Sequence, residues 1–308
     1  MSVFSLDHPQ LHDLFDQIPA LSGQPRELEE LSGGLTNRNV KVTTPDGVFV
    51  ARCTDSNADV LDIDRDAEHR NTQAAEAAGV GAPVVDYRAD LGIMVIGFID
   101  GTTLTNEDFG RDGVVRRVAE GCHVLHAGPR FVGEFNMFER QRGYLTTCQN
   151  AGYNMPPDYH DHVEKFDQIR KALVPQDGGT VPCNNDLLAG NFVDDGTKVW
   201  LIDYEYSGNN DACFELGNVW SECQLTLDQL EELVTGYYGQ ALRNKVARAR
   251  LQGIVSKYGW TLWGCIQDAV SPLDFDFWDW AMQRYDSAVA EMNGPDFTRL
   301  LAEVQLSD

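Results

Sequence analysis

Short strand-like apolar runs fill much of the first hundred residues, and two segments with helical spacing lie among them. The first helical segment covers residues 5–21, and Pro19 would end it because proline cannot continue a helix. The second covers residues 63–78 and would end at Gly79. This order predicts a small β-rich lobe with strands at residues 27–31, 39–43, 48–52, 83–86 and 94–99, and a hairpin turn at 44–47.

In the rest of the chain the apolar positions mainly follow helical spacing. Helices are predicted at residues 114–127, 158–173, 225–238, 247–270, 275–292 and 297–304. Two strand-like pieces, 191–193 and 199–202, interrupt them and are joined by a turn at 194–196. The pattern therefore predicts an α+β protein with a small antiparallel β lobe at residues 1–99 and a larger, mainly helical lobe at 100–308. A cleft between two such lobes is a common ligand site.

The composition is strongly acidic, since 24 lysines and arginines against 48 aspartates and glutamates give a net charge of -24. Nucleic acids and anionic membranes need a basic surface, so neither is an expected partner. The main explanation is a solvated acidic surface for solubility or salt tolerance, although a negative field would also attract a cationic substrate. No apolar stretch of membrane-spanning length and no secretory signal is apparent, so we expect a cytoplasmic protein without membrane insertion.

The seven cysteines are odd in number, and they form no C-x-x-C pair. Free and mostly buried thiols in a reducing cytoplasm are therefore expected, without a zinc site. His123 and His126 lie three residues apart on a predicted helix, but the sequence shows no third ligand. Packing or surface roles are expected for both.

Polar residues around the short hairpin carry the chemistry of phosphoryl transfer. Asp186 is followed five residues later by Asn191, and Asp203 ends the next strand. Phosphoryl transfer needs one carboxylate to orient the attacking hydroxyl, and an amide and a second carboxylate to hold Mg²⁺. Asp186 fits the first role and the other two fit the second, although each residue alone could be a turn former. The turn at 194–196 would bring Asp203 beside Asn191.

A glycine-containing loop at residues 31–39 lies between two predicted strands. Gly33 and Gly34 would let backbone N–H groups approach phosphates, although paired glycines also mark ordinary hairpin turns. The chain contains no P-loop signature, so a P-loop NTPase is not expected. Arg52 ends the third strand and could reach nucleotide phosphates, and Glu68 on the next helix could pair with it. Ordinary surface positions are the alternative for this pair.

Aromatic residues cluster late in the chain. Trp260 and Trp263 are three residues apart and share one helix face. Four more aromatics follow a short break: Phe275, Phe277, Trp278 and Trp280. Aromatic faces attract cations, including quaternary ammonium groups, by about 0.5–2 kcal/mol each. Core packing is the alternative for such residues, and it is the expected role of Phe277 and Trp278.

Taken together, these segments resemble the choline/ethanolamine kinase family, which belongs to the wider aminoglycoside phosphotransferase and protein-kinase-like group. The similarity runs from about residue 31 to 285, and its motifs are residues 183–191, 202–208 and 214–218 with Glu222. The resemblance implies a two-lobed, protein-kinase-like fold and transfer of phosphate from ATP, with Mg²⁺, to choline or ethanolamine. It makes Asp186 the catalytic base, and Asn191 and Asp203 the magnesium ligands.

The same resemblance assigns the nucleotide and acceptor ends of the cleft. The implied nucleotide-binding residues are Ser32, Gly33, Gly34, Asn37, Arg52 and Glu68. The strand at 94–99 would lie against the adenine. The implied acceptor-binding residues are Glu222, Trp260, Trp263, Phe275 and Trp280.

Two positions depart from the family pattern. Asn184 stands where members usually have histidine, and it could replace that loop-supporting residue by hydrogen bonding. Trp280 stands where they usually have tyrosine, which would resize the pocket. Two alternative functions fit the sequence. One is a kinase of the same fold that phosphorylates an aminoglycoside or an amino acid, and the other is a non-catalytic pseudokinase that binds nucleotide or choline. A monomer and a homodimer both fit the sequence, as do choline and ethanolamine.

Overall fold

The computed structural model describes residues 9–31, 37–54, 63–174 and 178–307. Its N-terminal part is built on a five-stranded antiparallel sheet in the order β1-β2-β3-β5-β4. The strands are β1 (Glu27–Leu31), β2 (Asn37–Thr44), β3 (Gly47–Thr54), β4 (Val84–Arg88) and β5 (Ile93–Gly97). All five predicted strands are confirmed, with ends shifted by at most two residues. Of the predicted phosphate loop, Ser32, Gly33 and Gly34 lie outside the described residues.

Two helices accompany this sheet. Helix α1 (Pro9–Phe15) is shorter than predicted, since it ends four residues before Pro19. A proline ring clashes with the carbonyl four residues earlier, which accounts for the end at Phe15. Helix α2 (Arg65–Ala78) follows the prediction closely: Asp64 caps its first turn, and Gly79 ends it at φ 87° in the left-handed region.

The C-terminal part is mainly helical and carries two small sheets. One sheet has the order β6-β8-β9, and the other pairs β7 with β10. Their strands are β6 (Thr102–Thr103), β7 (Val181–Cys183), β8 (Phe192–Asp194), β9 (Val199–Leu201) and β10 (Gly208–Asn210). The helices are α3 (Val114–His126), α4 (Met137–Ala151), α5 (Val163–Leu173), α6 (Ala212–Glu222), α7 (Leu227–Tyr238), α8 (Arg243–Val270), α9 (Phe277–Asn293) and α10 (Phe297–Glu303).

Helix α8 is the centre of this helical part. It has 28 residues, is buried along most of its length, and packs against α4, α6 and α9. It meets α6 at two glycines, and a Cβ on Gly217 would lie 2.2 Å from the carbonyl oxygen of Ala249. Only glycine allows this close approach of backbones. The crossing holds α6, which supports the candidate active site, directly against the helix that carries Trp260 and Trp263.

Two helices, α4 and α6, were not predicted. Helix α4 is largely polar, and its buried face consists of Met137, Gln141, Tyr144 and Cys148. Helix α6 is buried on almost all sides. It therefore lacks the alternation of polar and apolar faces by which a helix is predicted from sequence. Among the described residues, no helix combines the length and apolar character needed to cross a membrane.

Candidate active site

The loop that follows β7 is held by buried side chains of α6. The backbone N–H groups of Asn184 and Asn185 each donate to one oxygen of Glu215, both at 2.7 Å. The N–H of Leu187 donates to Oδ1 of Asn218 at 2.7 Å. Glu215 and Asn218 are completely buried, so the loop backbone depends on them rather than on water. Asn185 adopts φ 70°, a left-handed conformation that asparagine tolerates better than most residues.

The side chain of Asn184 joins this loop to the segment after β9. Its Nδ2 donates to the carbonyl oxygens of Ile202 at 3.1 Å and Asp203 at 2.7 Å. Its Oδ1 accepts from the N–H of Asp186 at 3.1 Å. Asp203 has φ 63°, which is strained for a residue with a Cβ. The expected hydrogen-bonding role of Asn184 is therefore present in the structure.

The three residues predicted for phosphoryl transfer line one cavity of about 390 Å³. Asn191 closes a 3-10 helix at Ala189–Asn191, and its Nδ2 donates to the carbonyl oxygen of Asp186 at 2.8 Å. The hairpin of β8 and β9 returns the chain so that the N–H of Ile202 donates to the carbonyl oxygen of Asn191 at 3.0 Å. Asp203 follows directly. Because the side-chain nitrogen of Asn191 already donates a hydrogen bond, its side-chain oxygen is the atom that can bind a cation. The Asp203 carboxylate can bind the same cation.

A buried ion network lies where the sequence predicts the nucleotide. Arg52 on β3 contacts Asp203 at 2.7 Å and Glu68 on α2 at 3.0 Å. Arg65 contacts the same Glu68 at 2.6 Å and Glu205 at 3.2 Å. The predicted pairing of Arg52 with Glu68 is therefore present. The network also ties the sheet and α2 to the segment that carries Asp203.

Asn37 belongs to the same network, since its Nδ2 donates to Glu205 at 2.9 Å. Burial alone would lower the pKa of Arg52, but the charges of Asp203, Glu68 and Glu205 raise it well above its usual value. Burial, and then the charges of Asp203 and Glu68, raise the pKa of Glu205 to about 7.

Asp186 is partly exposed to the cavity. Its surroundings raise the pKa of its carboxyl group well above the usual value, first by burial and then through the charges of Glu222, Glu205 and Asp203. A carboxylate with a raised pKa is a stronger proton acceptor. The position and basicity of Asp186 both fit the role of orienting a hydroxyl group.

Tryptophans from two helices form the far wall of the cavity. Trp260 and Trp263 of α8 and Trp280 of α9 line it together with Tyr206. The ring centroids of Trp263 and Trp280 are 5.2 Å apart, and those of Trp260 and Trp263 are 6.2 Å apart. Nε1 of Trp263 donates to the Tyr206 hydroxyl at 2.7 Å, which fixes the indole. The wall is thus a set of aromatic faces in the cavity that Asp186 also lines.

Glu222 also lines the cavity, and its Oε2 pairs with Nη2 of Arg284. The Arg284 guanidinium lies 3.3 Å from the ring centroid of Trp280, so one face of that tryptophan already carries a cation. Among the described residues, Glu222 Oε1 has no hydrogen-bond partner. The Glu222 carboxylate at the cavity wall is therefore already paired with a guanidinium, and its second oxygen is buried.

Of the five acceptor-binding candidates, Phe275 is the one that the structure does not bring to this cavity. Its side chain is 43% exposed and contacts Phe277, at a centroid distance of 4.8 Å. The physical reason is the start of α9: Asp276 caps this helix, which leaves Phe275 on the preceding loop. Phe277 is buried against Trp263, as its expected packing role requires.

The sequence reasoning missed several residues of the site. Glu205 and Tyr206 belong to the segment already quoted as a motif, but no role was assigned to them. Arg65 and Arg284 lie on helices, and Arg284 follows Trp280 by four residues. That spacing places an arginine over an indole on one helix face, and it is the signal that could have identified Arg284.

A small sheet lobe, a helical lobe and an Asp–Asn–Asp set in the cleft define a small-molecule kinase. The family model for choline/ethanolamine kinase matches residues 28–234, and the chain belongs to this family. It is accordingly a phosphotransferase of the choline/ethanolamine kinase type, which phosphorylates an alcohol group at the expense of ATP.

Individual relatives agree with this assignment. LicA of Haemophilus influenzae is 25% identical over 83% of this chain and 77% of its own length. A probable ethanolamine kinase of Arabidopsis thaliana is 24% identical over 89% of this chain and 82% of its own length. The crystal structure of a choline/ethanolamine kinase family protein from Mesorhizobium loti superposes with a TM-score of 0.85 at 31% identity, covering 96% of this chain and 98% of that one.

Proposed function

We propose that this chain transfers the γ-phosphoryl group of ATP to the hydroxyl of choline or ethanolamine, with Asp186 orienting the hydroxyl and accepting its proton. The observation that carries the proposal is the single cavity in which Asp186, Asn191 and Asp203 face Trp260 and Trp263. Phosphoryl transfer depends mainly on positioning and charge stabilisation, and this cavity supplies groups for both.

Magnesium fits the residues at the phosphate side. Asn191 and Asp203 would hold it, because an amide oxygen and a carboxylate are hard oxygen donors. Bound there, Mg²⁺ would neutralise the charge of the nucleotide phosphates. Arg52 and Glu68 hold the Asp203 carboxylate in place, since Arg52 contacts both at 3.0 Å or less. Asn184 fixes the backbone at the same residue.

The acceptor end suits an ammonium compound. The faces of Trp260 and Trp263 attract a cation, and Glu222 lines the same cavity. The ammonium group of ethanolamine can donate hydrogen bonds as well, whereas choline has no N–H group and relies on the aromatic faces. Both acceptors place their hydroxyl toward Asp186. We also place the enzyme in the cytoplasm, since all seven cysteines are free.

The test is an ADP-release assay with ATP, Mg²⁺ and a panel of choline, ethanolamine, serine and an aminoglycoside. We expect turnover of choline, ethanolamine or both, and a decrease in kcat of about 10²–10⁴-fold for Asp186→Asn. The matched control is Asp112→Asn, at an exposed position in the turn before α3, which should retain kcat. Turnover of serine or the aminoglycoside alone would assign another acceptor. No turnover of any acceptor, with nucleotide still bound, would identify a pseudokinase.

A further inference from the structure

A cluster of metal-ligating side chains lies behind the loop that carries Asp186. His126 ends α3, Cys183 ends β7, and Glu215 lies on α6. The His126 Nε2 is 3.5 Å from the Cys183 Sγ and 3.6 Å from the Glu215 Oε1. All three ligand atoms lie within 4.8 Å of one another. The three residues are buried, so the cluster is separate from the catalytic cavity and its magnesium ligands.

The spacing of these atoms matches the edges of a small coordination tetrahedron. Zinc binds nitrogen and oxygen at about 2.0–2.2 Å and sulfur at about 2.3 Å, usually with tetrahedral geometry. Those bond lengths give an N···S edge of about 3.6 Å and an N···O edge of about 3.4 Å. The observed separations of 3.5 and 3.6 Å lie close to both values. Imidazole, thiolate and carboxylate are also the ligand types that zinc prefers.

The charge of the cluster also favours a cation. Glu215 is completely buried, and within the described part of the chain no lysine or arginine pairs with it. Its partners are two backbone N–H groups and His126. A buried carboxylate without a counter-charge is costly. A divalent metal with one thiolate, one carboxylate and a neutral imidazole would make the site electrically neutral.

The surroundings orient the ligands as metal sites do. The other ring nitrogen of His126, Nδ1, lies 2.8 Å from the hydroxyl of Tyr237, which directs Nε2 toward the cluster. Metal-binding histidines usually have such a partner on the second nitrogen.

We propose that His126, Cys183 and Glu215 form a structural zinc site that supports the catalytic loop. The Glu215 oxygen nearest His126 also accepts the N–H of Asn184, so a metal bound there would be linked to the loop through one atom. The sequence could not show this site, because its ligands come from three distant segments without a recognisable spacing. Burial raises the pKa of the Cys183 thiol, and metal ligation would deprotonate it.

The experiment measures the metal content of the purified full-length enzyme after dialysis against a chelator. We expect about one zinc per chain, because a buried site exchanges slowly and an exposed magnesium site would be emptied. Cys183→Ala should lower the zinc content at least tenfold, whereas the matched control Cys148→Ala should keep it. Cys148 is equally buried, but it lies in the hydrophobic core and its Sγ donates to the carbonyl oxygen of Leu262.

Cobalt provides a second readout that does not depend on kinase activity. Enzyme produced with Co²⁺ in place of zinc should show a sulfur-to-cobalt charge-transfer band, and His126→Gln should abolish it. Tyr237→Phe should weaken cobalt binding about 10–100-fold, as loss of an orienting partner does in other sites. A folded wild-type enzyme without zinc and without this band would overturn the proposal. If Cys183→Ala does not fold, the wild-type spectrum and His126→Gln still decide.

Discussion

The loop that carries Asp186 and the proposed acceptor pocket share one cavity but are held by different forces. The loop is fixed by hydrogen bonds from backbone and side chains to buried groups, notably Glu215 and Asn218. The pocket wall is made of indole rings packed on α8 and α9, with one hydrogen bond between Trp263 and Tyr206.

This contrast separates the residues that support the reaction from those that select the acceptor. A hydrogen bond is directional, and leaving one buried partner unpaired carries a large penalty, so the loop has little freedom to change. Aromatic packing is less directional, and a cation is attracted to several ring faces in similar ways. We therefore expect substitutions in the loop support to affect stability and kcat, and substitutions in the pocket wall to affect KM.

Asn218→Leu should have the largest effect. It removes the acceptor of the Leu187 N–H and the donor to the Ser256 hydroxyl, which lies 3.0 Å from Nδ2. Two buried groups lose partners, so the free energy of unfolding should fall by about 2–4 kcal/mol in urea titrations. Asn150→Leu, the same change at an exposed position of α4, should stay within about 0.5 kcal/mol. Equal losses in the two variants would contradict the role of buried partners.

Asn184→Ala should have the second-largest effect, which is a decrease in kcat. The change removes two hydrogen bonds to the carbonyls of Ile202 and Asp203 and one from the N–H of Asp186. Small displacements of reacting groups can cost about 100-fold, so we expect kcat to fall about 10–100-fold. KM for the acceptor should change about twofold or less, since its wall is untouched. A rise in KM at constant kcat would show that Asn184 acts on binding instead.

Local patterns predicted much of this site. The positions of the strands, the end of α2 at Gly79 and the set of Asp186, Asn191 and Asp203 all depend on residues that are near in sequence. The short hairpin between Asn191 and Asp203 brings these two residues together by local chain reversal. Such features follow from turn chemistry and periodicity, which a single sequence shows.

Tertiary partners were harder to predict. Glu215 was visible only as part of a motif, and its contact with the loop depends on the close crossing of α6 and α8. Glu205 accepts a hydrogen bond from Arg65, which lies 140 residues away in the sequence. The periodicity of apolar residues does not predict such a contact. Phe275 is aromatic and lies close in sequence to Trp280, which lines the cavity. Because α9 begins only after Asp276, Phe275 lies on the preceding loop and is exposed.

Trp280→Leu tests the pocket wall. Loss of an aromatic face should raise KM for choline about 2–30-fold, as expected for about 0.5–2 kcal/mol, with a smaller effect on kcat. The matched control is Trp278→Leu on the same helix, because Trp278 packs against the helical core and does not line the cavity. The comparison requires steady-state kinetics of both variants. A larger rise in KM for Trp278→Leu would move the acceptor site away from Trp280.

Phe275→Ala should have the smallest effect and sharpens the boundary of the acceptor pocket. Its ring is 43% exposed and lies on the loop before α9, away from the residues that line the cavity. Exposed substitutions usually change stability by about 0.5 kcal/mol or less, and we expect KM for choline and ethanolamine to change less than about twofold. Trp280→Leu, measured in parallel, shows that the assay detects loss of an aromatic face. A rise in KM for Phe275→Ala matching that of Trp280→Leu would mean that the loop folds over the bound acceptor and that Phe275 completes the aromatic wall.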